Sequence, residues 1–323
     1  MDHRERGIGW IVLMCTVFMV SCGGGERQAE GEAEAAARNV VEVSAVYDSE
    51  QNRHLFETSS DTIRSGWTTF RFTNTSPMAH FMVVEKMPGR RTSVDSEREV
   101  VPIFQKAMDL INSGDPEAGF AALGELPEWF SEVTFMGGPG LASPGRSFEN
   151  TVYLQSGNYV LECYVKTEQG EFHSAMGMVR DLRVTRDSSF VREPQNPTLN
   201  IDLSNNGIVL NGDPVEGDHL VAVQFNEEEP PLLGNDVHVA RMAENVSTEQ
   251  VTSWIDWSQP DGLVSSAESP APVTFLGGTH EMPMGATAYF TVTLTPGQYM
   301  LVSERPAGNP LYHTFTVSGM ASN

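Results

Sequence analysis

Residues 133–162 read VTFMGGPGLASPGRSFENTVYLQSGNYVLE, and residues 273–302 read VTFLGGTHEMPMGATAYFTVTLTPGQYMLV. The two stretches align without gaps at an offset of 140 residues, and 12 of the 30 aligned positions are identical. Upstream of them, residues 70–74 have a counterpart in residues 221–226. Self-similarity over this length indicates a duplication, so the sequence predicts two copies of one fold.

Each copy has the pattern of short strands. Residues 70–74 alternate apolar and polar side chains, which is typical of a half-buried strand, and residues 151–161 indicate a strand, a tight turn and a second strand. Helical spacing of apolar residues occurs only in insertions, at residues 100–111 and 247–257. We therefore predict an all-β fold made of two β-sandwiches, each with a short helical insertion.

The N-terminal region is predicted to be a secretion signal and a tether. Two arginines precede an apolar run at residues 8–20, which suits a signal peptide and is short for a membrane span. The stretch Met19-Val20-Ser21-Cys22 resembles a bacterial lipobox, so we expect cleavage before Cys22 and attachment of lipid to its sulfur. Ordinary secretion with an unmodified Cys22 is the alternative. Residues 23–39 contain no aromatic or β-branched residue and indicate a solvated tether.

These features divide the chain into five parts, which are a signal peptide at 1–21, a lipid-anchored tether at 22–39, the first copy at 40–186, a linker at 187–198 and the second copy at 199–323. Gly23 follows the cysteine, where lipoproteins retained in the inner membrane carry an aspartate. An extracytoplasmic position on the outer membrane is therefore favoured, facing either the periplasm or the cell surface.

The composition excludes several classes of protein. The chain of 323 residues carries 43 acidic residues against 20 lysines and arginines, which gives a formal net charge of −23. So acidic a surface repels phosphate backbones, which excludes nucleic acid as a main partner. The eight histidines form no His-x-His run, and the sequence has no hydrolase, P-loop or CxxC motif, so no enzymatic activity is predicted. Three cysteines are too few for a disulfide scaffold, and Cys163 is the only one outside the predicted signal and anchor.

Four residues of the first copy form a metal-binding pattern. His80 follows a predicted strand, and Cys163, His173 and Met178 lie within GNYVLECYVKTEQGEFHSAMGMV at residues 157–179. This layout resembles the cupredoxins, the blue-copper family of plastocyanin and azurin, in which an early histidine joins a late Gly-x-Tyr-x-x-x-Cys and His-x-x-x-Gly-Met signature. The resemblance implies a cupredoxin-like Greek-key β-sandwich for each copy. It also implies one copper ion in the first copy, held by these four residues.

The sequence departs from the cupredoxin pattern at two places. Nine residues separate Cys163 from His173, more than in plastocyanin-like proteins, and Phe81 stands where those proteins often carry asparagine. We expect a hairpin around residues 167–169 to bring Cys163 opposite His173, with their Cβ atoms about 4.5–5.5 Å apart. Met176 is the alternative to Met178 as axial ligand, although it fits the family spacing less well.

The second copy carries a different set of side chains. The aligned pairs are Cys163 with Ser303, His173 with His313, and His80 with His238. Because a hydroxyl cannot replace a thiolate on copper, we expect no blue-copper site in this copy. His238 and His313, joined by His280 as an optional third ligand, are a weaker candidate for another metal. The alternative is a degenerate copy that is kept for packing or for binding a partner.

Two functions are compatible with these patterns. The favoured one is a copper-binding extracytoplasmic lipoprotein that transfers electrons or handles copper and meets a redox or copper-donor protein as its partner. The alternative is a metal-free lipoprotein of the same fold that serves as an interaction scaffold.

The lipobox-like stretch gives a direct test. Replacing the sulfur in Cys22→Ser removes the site of lipid attachment, so we expect the variant to move from the membrane fraction to the soluble extracytoplasmic fraction. Fractionation followed by immunoblotting measures this. A variant that stays in the membrane fraction would refute the lipid anchor.

Overall fold

The computed structural model describes residues 39–227, 235–268, 270–306 and 308–319. The predicted signal peptide, Cys22 and the tether up to residue 38 lie outside these described residues. Within the described ranges, no helix has both the length and the apolar character that crossing a membrane requires.

Eight strands build the first copy. They are β1 (Val40–Asp48), β2 (Arg53–Thr58), β3 (Thr62–Asn74), β4 (Val83–Met87), β5 (Thr134–Phe135), β6 (Ser147–Leu154), β7 (Gly157–Glu162) and β8 (Val179–Ser188). The long strand β3 pairs with β8 through its first residues and with β6 through the rest, so it belongs to both sheets of a sandwich. One sheet contains β2, β1, β3 and β6, and the other contains β8, β7, β4 and β5.

Eight further strands build the second copy. They are β9 (Leu199–Ser204), β10 (Gly207–Asn211), β11 (Gly217–Phe225), β12 (Val237–Arg241), β13 (Thr274–Thr279), β14 (Thr287–Leu294), β15 (Gly297–Val302) and β16 (Tyr312–Val317). They form the sheets β10-β9-β11-β14 and β13-β12-β15-β16. The all-β prediction is confirmed. The predicted boundaries of the copies stay a prediction.

Among the described residues, α-helices occur only between strands of the second sheet in each copy. Between β4 and β5 lie α1 (Ser93–Glu99), α2 (Val101–Asn112) and α3 (Pro116–Ala122), and between β12 and β13 lies α4 (Thr248–Ile255). The predicted helical insertions correspond to α2, which has a proline in its first turn, and to α4. At the start of α4, Ser247 and Gln250 form a capping box, because each side chain bonds the other residue's backbone N–H.

The two copies meet about a local two-fold axis. Asn150 of β6 lies opposite Phe290 of β14, and an isolated bridge joins Pro139 to Thr279. Each of these pairs is separated by the 140-residue offset of the repeat, so each residue contacts its own equivalent, as happens at the axis of a symmetric dimer. The β6–β14 pairing joins one sheet of each copy into a continuous sheet.

The core follows from strict alternation along the strands. Phe70 and Phe72 of β3 are fully buried, as are Val223 and Phe225 of β11. A single cluster of buried apolar side chains extends through both copies. Burial of a large apolar side chain contributes about 1.5–3 kcal/mol, so this shared cluster stabilises the junction as well as each sandwich.

Gly138 and Gly278 occupy equivalent tight positions beside this junction. Their φ angles are +110° and +143°, which side chains rarely adopt. A Cβ on Gly138 would collide with the carbonyl oxygen of Met82, and a Cβ on Gly278 would collide with that of Val237. The repeated Gly-Gly pair therefore lets one backbone segment lie directly on the neighbouring strand.

We expect Gly138→Ala to lower the free energy of unfolding by about 3 kcal/mol, because its Cβ overlaps backbone that cannot rotate away. The matched control is Gly145→Ala, where φ is +74° but no atom lies within 4 Å of the added carbon. Backbone strain alone should then cost about 1 kcal/mol. Urea unfolding measures both values, and equal losses would contradict the close approach.

Candidate metal centre

Three side chains with metal-binding atoms converge in the first copy. His80 lies before β4 and bridges to Ala142, Cys163 follows the last residue of β7, and His173 lies in the segment between β7 and β8. All three side chains have no exposed surface. The sandwich thus brings together segments that are distant in the sequence.

The donor atoms of these side chains face one another. Nδ1 of His80 is 3.2 Å from Nδ1 of His173. Sγ of Cys163 is 3.6 Å from Nδ1 of His80 and 3.9 Å from Nδ1 of His173. A point equidistant from the three atoms lies about 2.1 Å from each, close to the roughly 2.0–2.3 Å of metal–nitrogen and metal–sulfur bonds. One thiolate and two imidazoles are a donor set that suits copper.

The predicted hairpin is present with a different register. His173 N–H donates to the carbonyl of Val165 at 2.8 Å, and Lys166 bridges to Phe172. Val165, and not Cys163, therefore lies beside His173. Because side chains two residues apart share a face, Cys163 still directs its sulfur to the same side as His173.

Met178 joins this group through its backbone. Its carbonyl accepts from Cys163 N–H at 3.2 Å, and its own N–H donates to the carbonyl of His173 at 2.9 Å. The side chain is fully buried. Met178 is thus held next to two of the converging residues, whereas Met176 lies in the preceding turn, where its N–H donates to the carbonyl of His173.

Burial sets the protonation of the three donors. It lowers the pKa of His80 and of His173 well below the ordinary value, so both imidazoles are neutral. It raises the pKa of the Cys163 thiol to about 12, although the backbone N–H groups of Phe81 and Val165 donate to the sulfur and favour the thiolate. Ser76 Oγ bonds Nε2 of His80 at 2.9 Å and leaves Nδ1 to face the sulfur. The site is a set of neutral donors that face one common point.

A third histidine, His54 of β2, completes the group and was missed by the sequence reasoning. Its ring stacks on that of His173, with centroids 3.8 Å apart and planes inclined by 15°. Ring nitrogens of His54, His80 and His173 lie within 4.8 Å of one another. The sequence feature that could have indicated His54 is the alternation of buried and exposed side chains in β2, where His54 and Phe56 are the two buried residues.

A second group of ligand-type side chains lies in the second copy. One atom from each of Asp236, His238, His280 and Glu304 lies within 4.8 Å of the others, and all four residues are buried. His238 Nε2 is 3.2 Å from Glu304 Oε1 and 3.6 Å from Asp236 Oδ1. The sequence reasoning named His238 and His280 and missed the two carboxylates, because neither aligns with a metal-binding residue of the first copy.

His313 lies outside this second group. On β15, His238 is opposite Val302 and His313 is opposite Leu301. Adjacent residues of a strand face opposite sides of the sheet, so the imidazoles of His238 and His313 cannot bind the same ion.

The strand register also corrects the alignment of the histidines. Glu162 and Val302 are equivalent, and their partners are Val83 and His238, so His238 corresponds to Val83 and not to His80. Leu161 and Leu301 are also equivalent, and their partners on the neighbouring strands β8 and β16 are Arg180 and His313. His313 therefore corresponds to Arg180 and not to His173. The residues between Cys163 and β8 outnumber those between Ser303 and β16, so the constant offset fails beyond β15.

The two groups are joined by the residue that follows Cys163. Tyr164 donates its hydroxyl proton to Glu304 Oε2 at 2.9 Å, and its ring packs edge-on against Phe81 with centroids 4.5 Å apart. Burial and the nearby Asp236 carboxylate raise the pKa of Glu304 to about 7. Tyr164 and Glu304 are separated by the repeat offset, so this hydrogen bond also lies at the local two-fold axis.

Comparison with known proteins gives likeness to solved structures. No protein-family model matches the sequence, and no curated protein matches it. The chain is similar to auracyanin A, a blue copper protein from Chloroflexus aurantiacus, with 21% identity and a TM-score of 0.29 over 45% of this chain and 98% of that one. Dithionite-reduced auracyanin from Roseiflexus castenholzii has 20% identity and a TM-score of 0.27 over 46% of this chain and 97% of its own.

A copper nitrite reductase also resembles the chain. A copper nitrite reductase from Nitrosomonas europaea has 13% identity and a TM-score of 0.22, and the match covers 88% of this chain and 94% of the reductase. At these identities and TM-scores the likeness says nothing about the chemistry of the site, which depends on the distances given above.

The buried thiol gives a test of the site's geometry. In a chain carrying Cys15→Ser and Cys22→Ser, Cys163 is the single thiol, and we expect a maleimide or disulfide reagent to label it very slowly in the native, metal-free protein. A pKa of about 12 against the ordinary 9.0 leaves about 1000-fold less thiolate, and the sulfur is also inaccessible. Mass spectrometry follows the labelling, and denaturant should make it complete. Fast labelling under native conditions would contradict the buried position.

Proposed function

We propose that the chain is a copper-binding extracytoplasmic lipoprotein that transfers electrons or handles copper. One mononuclear site in the first copy would be held by His80, Cys163 and His173, with Met178 as the axial ligand. The observation that carries the proposal is the convergence of Sγ and the two Nδ1 atoms within 3.2–3.9 Å of one another. Neutral, buried donors that point at one common position fit a metal ion better than they fit one another.

The chain's own residues would prepare the site for copper. Copper, when bound, would supply a one-electron redox couple. Ser76 holds the ring of His80, and stacking of His54 holds the ring of His173. The N–H groups of Phe81 and Val165 point at the sulfur and favour its anionic form. Positions fixed in this way need little rearrangement when an electron arrives, which favours fast transfer.

A stack of rings leads from the site towards the surface. Tyr47 is half-buried, and its ring lies 4.9 Å from that of His54, which in turn stacks on His173 at 3.8 Å. Because His80, Cys163 and His173 have no exposed surface, an electron would have to pass through neighbouring side chains. The Tyr47–His54–His173 stack would provide that contact route.

Anchoring and charge would determine where the protein meets its partner. Lipid on Cys22 and the tether after it would hold the two sandwiches at a membrane, with the outer membrane favoured. The net charge of −23 would steer a redox or copper-donor protein with a basic face and repel nucleic acid.

Titration with Cu(II) tests the proposal. We expect one equivalent of copper to give an intense visible thiolate-to-copper absorption, which Cys163→Ser abolishes because a hydroxyl is not a soft anionic ligand. Met178→Leu should keep the colour and raise the reduction potential, since a weak axial thioether adjusts the site more than it holds the ion. Ser303→Cys in the second copy is the matched control and should add no second band.

Two results would contradict the proposed copper site. If the wild-type chain develops no charge-transfer band with Cu(II), the metal-free scaffold is the better description. If Cys163→Ser binds copper with unchanged affinity and spectrum, the site has been placed on the wrong residues.

A further inference from the structure

A cavity at the junction of the two copies is lined by an unusual number of acids. Its volume is ≈ 70 Å³, enough for several water molecules or for an ion with part of its hydration shell. Its wall includes the carboxylates of Glu85, Glu162, Asp236, Glu281 and Glu304, together with the imidazole of His280. The first two acids come from the first copy, and the other four residues come from the second.

Acidic side chains predominate among the charged residues of this wall. Among the described residues that line it there is no lysine or arginine. Glu85, Glu162, Asp236 and Glu304 are each at least nine-tenths buried. Burying several carboxylates together is costly unless they are protonated or share a cation, so the cavity favours a bound positive ion.

His280 supplies an independent observation. Its Nε2 atom is buried and has no hydrogen-bond partner within the described part of the chain. The ring is fixed edge-on against Phe81, with centroids 4.5 Å apart, and one of its nitrogens belongs to the group with Asp236 and Glu304 that lies within 4.8 Å. A buried imidazole with an unpartnered nitrogen, on a ring that lies among carboxylates, is typical of a metal ligand.

His238 has a different role, which its hydrogen bonds define. The carboxylates of Asp236 and Glu304 raise the pKa of His238 and favour a charged ring. The backbone N–H of Leu141, however, donates to Nδ1 of His238 at 3.0 Å, which requires a lone pair there, so the ring is neutral with its proton on Nε2. That Nε2–H points at Glu304 Oε1 at 3.2 Å. His238 therefore holds the Glu304 carboxylate in place and does not itself offer a lone pair to an ion.

We propose that Asp236, His280 and Glu304 bind a divalent first-row metal ion in this cavity. The donors are two carboxylates and one imidazole with no sulfur, which suits Mn²⁺ or Fe²⁺ and disfavours the soft ion expected beside Cys163. Tyr164 and His238 orient Glu304 by donating to its two oxygens. Glu85 and Glu162, across the cavity, add negative charge and can hold waters of the ion.

The proposed site is chemically separate from the cysteine site but adjacent to it in the chain. Glu162 and Tyr164 line the cavity, and Cys163 between them directs its sulfur to His80 and His173. The proposal does not depend on copper at Cys163, since it uses none of the same donor atoms.

The experiment is a titration of the purified full-length chain with Mn²⁺. Binding is measured as the loss of the paramagnetic resonance signal of free Mn²⁺. We expect one tight equivalent in the wild-type chain, and at least a 10-fold weaker affinity in His280→Gln and in Glu304→Gln. Cys163→Ser should bind Mn²⁺ as the wild type does, because thiolate is not a ligand here. Asp218→Asn, an exposed acid on β11, is the control for the general attraction of an acidic surface.

A second measurement guards against variants that fold poorly. Mn²⁺ at saturation should raise the thermal midpoint of the wild type and of Cys163→Ser, but not that of His280→Gln, while circular dichroism shows all three folded. The proposal is overturned if Mn²⁺ binds no more tightly to the wild type than to His280→Gln, or if Asp218→Asn weakens binding as much as Glu304→Gln. Loss of Mn²⁺ binding in Cys163→Ser would also overturn it and would place the ion at the cysteine site.

Discussion

The alternation of three consecutive side chains at the end of β7 determines where both candidate sites lie. Cys163 turns into the core of the first copy, where its sulfur faces His80 and His173. Its neighbours Glu162 and Tyr164 turn the other way, into the cavity between the copies. A strand can place adjacent residues only on opposite faces, so the soft donor and the hard donors are separated by the backbone itself. Residues 172–174 repeat the arrangement, because Phe172 and Ser174 line the cavity and His173 between them faces Cys163.

Much of the fold could be predicted because the repeat and the strand pattern both reflect which side of each strand is buried. The identical positions of the repeat include the Gly-Gly pair, where a positive φ and the close approach of neighbouring atoms leave no room for a side chain. Cys163, His80 and His173 could be found from sequence because a blue-copper pattern lists donor types in a fixed order. The hairpin register differed by two residues, which preserves the face of the strand and therefore leaves the convergence intact.

The parts that could not be predicted depend on contacts between distant segments. His54 reaches the site from β2, through a pairing of β1 with β2 and β3 that leaves no motif in the sequence. Asp236 and Glu304 become neighbours only because β12 pairs with β15, and a constant alignment offset cannot show this. The same offset misplaced His313, since the insertion after Cys163 changes the count of residues before the last strand. The spacing of residues along one strand predicts which side chains share a face of that strand. Which faces contact each other depends on the order of the strands in the sheets.

Duplication about a two-fold axis explains how one chain could separate two kinds of donor. At the axis each residue meets its own equivalent, so one ancestral position contributes twice to the junction. Here the two equivalent residues are Tyr164 and Glu304, a hydrogen-bond donor and an acceptor that bond at 2.9 Å. Two ionised glutamates at this position would both be acceptors and could not form this bond. At the neighbouring position the thiol of Cys163 corresponds to the hydroxyl of Ser303, which is buried without a partner among the described residues. The first copy thus keeps sulfur inside its core, and the second copy directs oxygen and nitrogen to the interface, where both copies can surround an ion.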